Sequence, residues 1–143
     1  MSRVMVVANE TVGADELLAE IRRIEDRRTS RFFVLAPAVA EHHGVLDTWN
    51  QDGAISSAQQ RVDRTIAILR SEGLQAEGRV GDMHPLMAIE DALAEFPADT
   101  IVISTHPAER SRWLKKDLIE QARKKFGRPV IHVVSHVRDS ATA

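Results

Sequence analysis

Strand-type and helix-type hydrophobic patterns alternate along this chain from end to end. That alternation limits its fold more than anything else, because it is the pattern of βαβ units, which build a parallel sheet covered by helices. Val4-Met5-Val6-Val7-Ala8, Phe32-Phe33-Val34-Leu35-Ala36, Thr100-Ile101-Val102-Ile103-Ser104 and Pro129-Val130-Ile131-His132-Val133-Val134 are nearly continuous apolar runs. Runs of that kind belong to strands buried on both faces. Leu74 to Val80 is different: Leu74, Ala76, Gly78 and Val80 alternate with Gln75, Glu77 and Arg79. One polar face places this strand at a sheet edge.

Between the strands, apolar residues recur at helical spacing. The first helix carries Leu17, Leu18, Ile21 and Ile24, and the second Ala58, Val62, Ile66 and Leu69, closed by Gly73. The third opens after Asp82, with Pro85 in its first turn, and presents Leu86, Ile89, Leu93 and Phe96. The last presents Leu114, Leu118, Ala122 and Phe126 and ends at Gly127. A long polar connection, Pro37 to Gly53, separates the second strand from the second helix.

Crossovers between parallel strands are right-handed, so helices are expected on both faces of the sheet. The fold expected is therefore a doubly wound α/β domain with a five-stranded parallel sheet. In such sheets ligands bind outside the strand C-termini, where the strand order reverses. Here the reversal is expected between the first and fourth strands, so Asn9–Gly13 and Thr105–Trp113 would line the crevice.

At 143 residues, 43% apolar and 28% charged, the chain suits one globular domain over residues 1–143, with 135–143 expected as a frayed tail. It has no cysteine. That excludes disulfides, thiolate metal sites and cysteine nucleophiles, and it favours a reducing compartment. The N-terminal apolar run ends before Asn9, too short for a signal peptide or a membrane span, so a cytoplasmic protein with no membrane association is expected. A net charge of −2 argues against a nucleic-acid partner. Within that total, residues 109–128 hold eight Lys/Arg against three Asp/Glu. Such a run usually marks a solvated helix face, and its other use is to attract an anion.

Several stretches resemble the universal stress protein family. Arg79-Val80-Gly81-Asp82, followed by an amphipathic helix, resembles its third strand and the turn after it. Asp99-Thr100-Ile101-Val102-Ile103-Ser104-Thr105-His106 resembles its fourth strand, which usually reads Asp-Leu-Ile-Val-Ile-Gly-Thr/Ser-His-Gly. Gly127-Arg128-Pro129-Val130-Ile131-His132-Val133-Val134 resembles the closing strand, and the similarity runs in order over residues 3–134. The resemblance implies strand order 3-2-1-4-5, a homodimer paired through strand five, and a stress-response or regulatory role.

ATP-binding members of that family carry Gly-x2-Gly-x9-Gly followed by Ser or Thr after the fourth strand, with backbone amides closing around phosphates. Here those glycines fall on Ser104, Pro107 and Asp117, and the Ser/Thr falls on Leu118. Proline has no N–H to donate, and Asp117 would set negative charge near a phosphate. The family's aspartate at the end of strand one falls on Asn9. ATP binding in the family's usual way is not expected, nor is any cofactor. If a ligand is held, the expected contacts are Ala8, Asn9, Gly81, Ser104, Thr105 and His106 at the strand ends. Arg110, Arg112 and Lys116, with Lys115 beside them, would supply side-chain contacts to an anion in place of the missing glycines.

No catalytic set assembles. Ser104, His106 and Asp99 lack the strained turn that presents a nucleophile, and His106 reads as structural. His42-His43 with Glu41 has no second ligand cluster, so no metal is expected. His84, before Pro85, serves the start of a helix, while His132 reads as a packed or interface residue. Trp113 covers a helix–sheet junction or walls a planar ligand. The fifth strand, Val130, Ile131, His132, Val133 and Val134, is expected at an edge with no charge to discourage pairing, which invites a two-fold antiparallel dimer. The readings that follow are a non-enzymatic, universal-stress-like homodimer or a sensor of a nucleotide-like or other anionic small molecule.

Overall fold

The computed structural model describes residues 2–8, 14–24, 30–38, 51–82, 84–105 and 118–134. Their elements run β1 (Arg3–Ala8), α1 (Ala14–Arg22), β2 (Arg31–Pro37), α2 (Gln51–Ser71), β3 (Gln75–Gly81), α3 (Pro85–Glu95), β4 (Thr100–Thr105), α4 (Leu118–Phe126) and β5 (Val130–Val134). All five strands join one sheet in the order β3-β2-β1-β4-β5, and every pairing is parallel. The order reverses between β1 and β4, where Ala8 stands opposite Ser104.

The apolar runs produce this sheet because β1, β2 and β4 are buried after their first residues and have two faces to cover. Side chains alternate between faces along a strand, and the core divides accordingly. Val4, Val6, Phe32, Val34, Val102 and Val133 pack under Leu17 and Ile21 of α1 and Ala58, Val62 and Leu69 of α2. Met5, Val7, Phe33, Leu35, Ile101 and Ile103 pack under Ala88, Ile89 and Ala92 of α3 and Ile119 and Ala122 of α4. Two helices therefore cover each face, as the right-handed crossovers require.

Element boundaries depart from the sequence reading in physically simple ways. The helix α2 already includes Gln51, so Gln51–Gly53, expected in the connection, are helical, while Pro37 closes β2. In α3 the deepest residues are Ala88, Ile89 and Ala92, whereas Leu86 and Leu93 are only partly buried. Small alanines let that helix approach the sheet, and the larger leucines flank the contact. Gly73 has φ +78° and ends α2 with its amide bonded to the Arg70 carbonyl at 3.0 Å, while Leu74 N–H reaches Leu69 O at 3.1 Å. A left-handed residue closing a helix in this way favours glycine.

The edge β3 carries the expected alternation, with Ala76 buried and Gln75 and Glu77 exposed. Its charges are engaged locally: Arg31–Glu77 at 3.9 Å and Arg79–Glu95 at 3.1 Å. Among the described residues, no helix is long and apolar enough to cross a membrane.

Candidate functional site

The C-terminal rim of the sheet is where the topology directs attention, and three of the expected contact residues meet there. Ala8 ends β1, Ser104 and Thr105 end β4, and all three are fully buried. Ser104 lies on the same side of the sheet as Val102 and Ala8, facing the α1–α2 layer. Thr105 points to the other side and is hydrogen-bonded through Oγ1 to His132 Nε2 at 2.8 Å. The parallel register sets Thr105 beside Val134 and Ile103 beside His132, so the Thr105–His132 bond runs diagonally across β4 and β5. It fastens the edge strand to its neighbour at the mouth of the expected crevice.

Gly81 ends β3 on the same rim, but β2 and β1 stand between it and β4. A β-carbon at Gly81 would lie 2.7 Å from Leu35 Cδ1 and 2.9 Å from Ala88 Cβ. Packing of the rim against α3 thus accounts for glycine there. Asn9, His106, Arg110, Arg112 and Lys116 lie outside the described residues, as do Trp113, Lys115, Pro107, Asp117 and the His42-His43 pair. Leu118, at the position of the family's Ser/Thr, opens α4 and packs partly buried against the α3–α4 core.

Ser104 and Asp99 do not come together. Asp99 lies at the opposite end of β4, its Oδ2 accepting the Arg3 amide at 2.9 Å. A five-residue separation along a strand places it about 16 Å from Ser104, and Ser104 itself is sealed from solvent. Among the described residues, no group of three or more His, Asp or Glu side chains could hold a metal ion.

His84 serves the start of α3. It occupies the N-cap position with Pro85 at the head of the helix and makes no side-chain cap bond of its own. Asp82 Oδ1 instead accepts the His84 amide at 2.8 Å and meets the ring Nδ1 at 2.9 Å. These contacts, the amide bond first, hold the Asp82 carboxyl below the ordinary aspartate value. A depressed carboxyl stabilises the fold above its unfolded-state pKa and ceases to do so as pH falls through its folded-state pKa. Carbon-detected NMR titration should therefore find Asp82 protonating below the ordinary aspartate value. A midpoint at the usual aspartate value would show that the turn is not formed in solution.

The side chains expected at the β5 interface are largely used inside the monomer. Val130 and Val133 are buried, and Ile131 packs against the α1–α2 core. What β5 offers outward is chiefly its backbone. Three arginines with no individual role in the sequence reading bond to carbonyls around the sheet: Arg70 to Ala76 O, Arg123 to Val130 O and Arg128 to Ala98 O. A shallow depression lined by Arg31, Phe32, Arg70, Gln75, Ala76 and Glu77 lies at the opposite end of the sheet from the rim.

The described elements define a doubly wound α/β fold whose strand order reverses between β1 and β4, where Ala8, Ser104 and Thr105 are buried. No protein-family model and no curated protein matches the sequence. Among solved structures, the chain is similar to a universal stress protein from Archaeoglobus fulgidus at 23% identity and TM-score 0.60, over 93% of this chain and 99% of that one. It is also similar to the universal stress protein from Archaeoglobus fulgidus in complex with dAMP, at 25% identity and TM-score 0.57, over 93% of this chain and 97% of that one. The fold is that of the universal stress proteins, and the chain is universal-stress-like.

Proposed function

We propose that this chain is a universal-stress-like regulatory protein of the cytoplasm, non-enzymatic and homodimeric through β5, which does not hold ATP by a glycine loop. The observation that carries this reading is Ser104. It stands where ATP-binding members place their first glycine, it is fully buried, and it faces the α1–α2 layer opposite Ala8. A glycine there leaves the backbone open to close approach by a ligand; a buried serine fills that space with its own side chain. Leu118, spent on core packing, removes the hydroxyl that would complete the phosphate loop.

A second reading is kept alive by one comparison, the neighbour solved with dAMP. On that reading the crevice holds a nucleotide-like anion through side chains, with Arg110, Arg112 and Lys116 meeting the phosphate. Isothermal calorimetry with Mg-ATP and with dAMP separates the two. Negligible heat with Mg-ATP is expected, and a low-micromolar dissociation constant would overturn the first reading. Binding of dAMP that vanishes on joint charge reversal at Arg112 and Lys116 would favour the sensor. Sedimentation at tens of micromolar should give a dimer, and a monomer there would remove the proposed assembly.

A further inference from the structure

The two outer strands are treated alike at their first residues. The backbone groups of an edge strand point alternately towards its neighbour and away from it. Ile101 N–H bonds to Pro129 O at 2.9 Å, so Pro129, Ile131 and Val133 direct their backbone groups towards β4. Val130, His132 and Val134 direct theirs outward. On the far side Ala38 N–H bonds to Gly81 O at 3.2 Å, so the outward residues of β3 include Ala76. The outward carbonyls nearest the strand starts are those of Ala76 and Val130. Each is covered by an arginine from the last turn of the preceding helix. Arg70 reaches Ala76 O with Nε at 3.2 Å and Nη2 at 2.9 Å. Arg123 reaches Val130 O with Nε at 3.3 Å and Nη2 at 3.1 Å, while its Nη1 bonds to Glu120.

We infer that Arg123 sets the register in which a second copy of this chain adds to β5, an inference that rests on the dimer reading above. A carbonyl oxygen has two lone-pair directions, and the Arg123 fork meets Val130 O with two N–H groups. A two-fold antiparallel pair can bond only outward residue to outward residue. Centred on Ile131 or on His132, the pair would need Val130 O as an acceptor for the other strand, and the guanidinium stands in the way. Centred on Val133, it joins His132 to Val134 of the second copy, twice over, and leaves Val130 to Arg123. The occupant is a second copy because β5 presents no charged side chain, and its outward donors and acceptors are self-complementary under a two-fold axis. The β3 edge, with Glu77 and Arg79 along it, lacks that neutrality.

The cysteine-free sequence makes the register directly readable. Single Val133→Cys and His132→Cys variants would be oxidised as dimers and followed by non-reducing electrophoresis. With Val133 facing its own copy, the α-carbons are about 4.5 Å apart, within the disulfide range. His132 and its copy are then diagonal neighbours about 7–8 Å apart, which is too far. The Val133→Cys variant should crosslink to itself at least about tenfold faster. Adding Arg123→Ala should let His132→Cys crosslink as well. Rapid crosslinking of His132→Cys with Arg123 intact would overturn the register while leaving the dimer standing. A wild-type monomer by sedimentation would remove both, and a dimer that crosslinks at neither position would overturn the Val133-centred register.

Discussion

Replacing Phe32 with alanine should lower the unfolding free energy by about 3–5 kcal/mol, the usual cost of truncating a fully buried phenylalanine. Phe32 is among the largest fully buried side chains and sits in the α1–α2 core with Val4, Val6, Val34 and Val62. It stands in β2, between β1 and β3, so a cavity there is walled by sheet on two sides and by helix above. Walls of that kind collapse poorly, which pushes the cost towards the upper end. Domains of this size have total stabilities of roughly 5–15 kcal/mol, so the variant should be close to unfolding at physiological temperature. Urea denaturation followed by far-UV circular dichroism measures the effect. A loss below about 1.5 kcal/mol would mean that the α1–α2 layer relaxes into the space.

The next residue along tests the other layer. Phe33 points to the α3–α4 side and stacks on Phe96, with ring centroids 5.3 Å apart and planes inclined by 26°. Neighbouring phenylalanines on β2 thus serve separate cores, which is what a strand covered on both faces requires. This feature was legible in the sequence because Phe32-Phe33 interrupts any alternation. So were the strand order across the reversal and the edge position of β3.

The rim was less legible. A single sequence identifies Ser104 and Thr105 as rim residues, but not that both are sealed inside the layers. Nor does it show that Thr105 would meet His132 of the adjacent strand. That pairing depends on the β4–β5 register, which hydrophobic pattern constrains only to the parity of faces. The arginines on the Ala76 and Val130 carbonyls left still less trace. Charged residues in a last helical turn read as dipole partners, and a bond to a strand carbonyl is a product of tertiary placement. The β5 side chains show the limit from the other direction. An apolar edge strand suggests a side-chain interface, yet Val130 and Val133 are already consumed by the monomer core.

The Gly78→Ala variant should be destabilised by about 3 kcal/mol or more, beyond the usual range for an added methyl group because the obstacle is main chain. Gly78 lies in β3 opposite Val34 of β2. A β-carbon built there would overlap the Val34 carbonyl oxygen, and would stand 2.9 Å from Val34 Cβ and 3.0 Å from Val34 C. A side chain in the way could rotate aside, but a carbonyl within a paired strand cannot. Relief requires β3 to move away from β2 or Val34 to twist, and either breaks hydrogen bonds on both sides of the contact. Glycine inside a strand marks such close approaches, although the sequence alone presents Gly78 only as the small member of an alternating run. Gly73 supplies the contrast: a β-carbon there meets nothing within 4 Å, and only its φ of +78° resists substitution. Gly73→Ala should therefore cost about 1 kcal/mol, several-fold less than Gly78→Ala. Amide hydrogen exchange on the Gly78→Ala protein should show protection lost first in β3, with β1 and β4 retained. Equal stability of the two alanine variants would mean that β2 and β3 do not approach as closely in solution as their paired register implies.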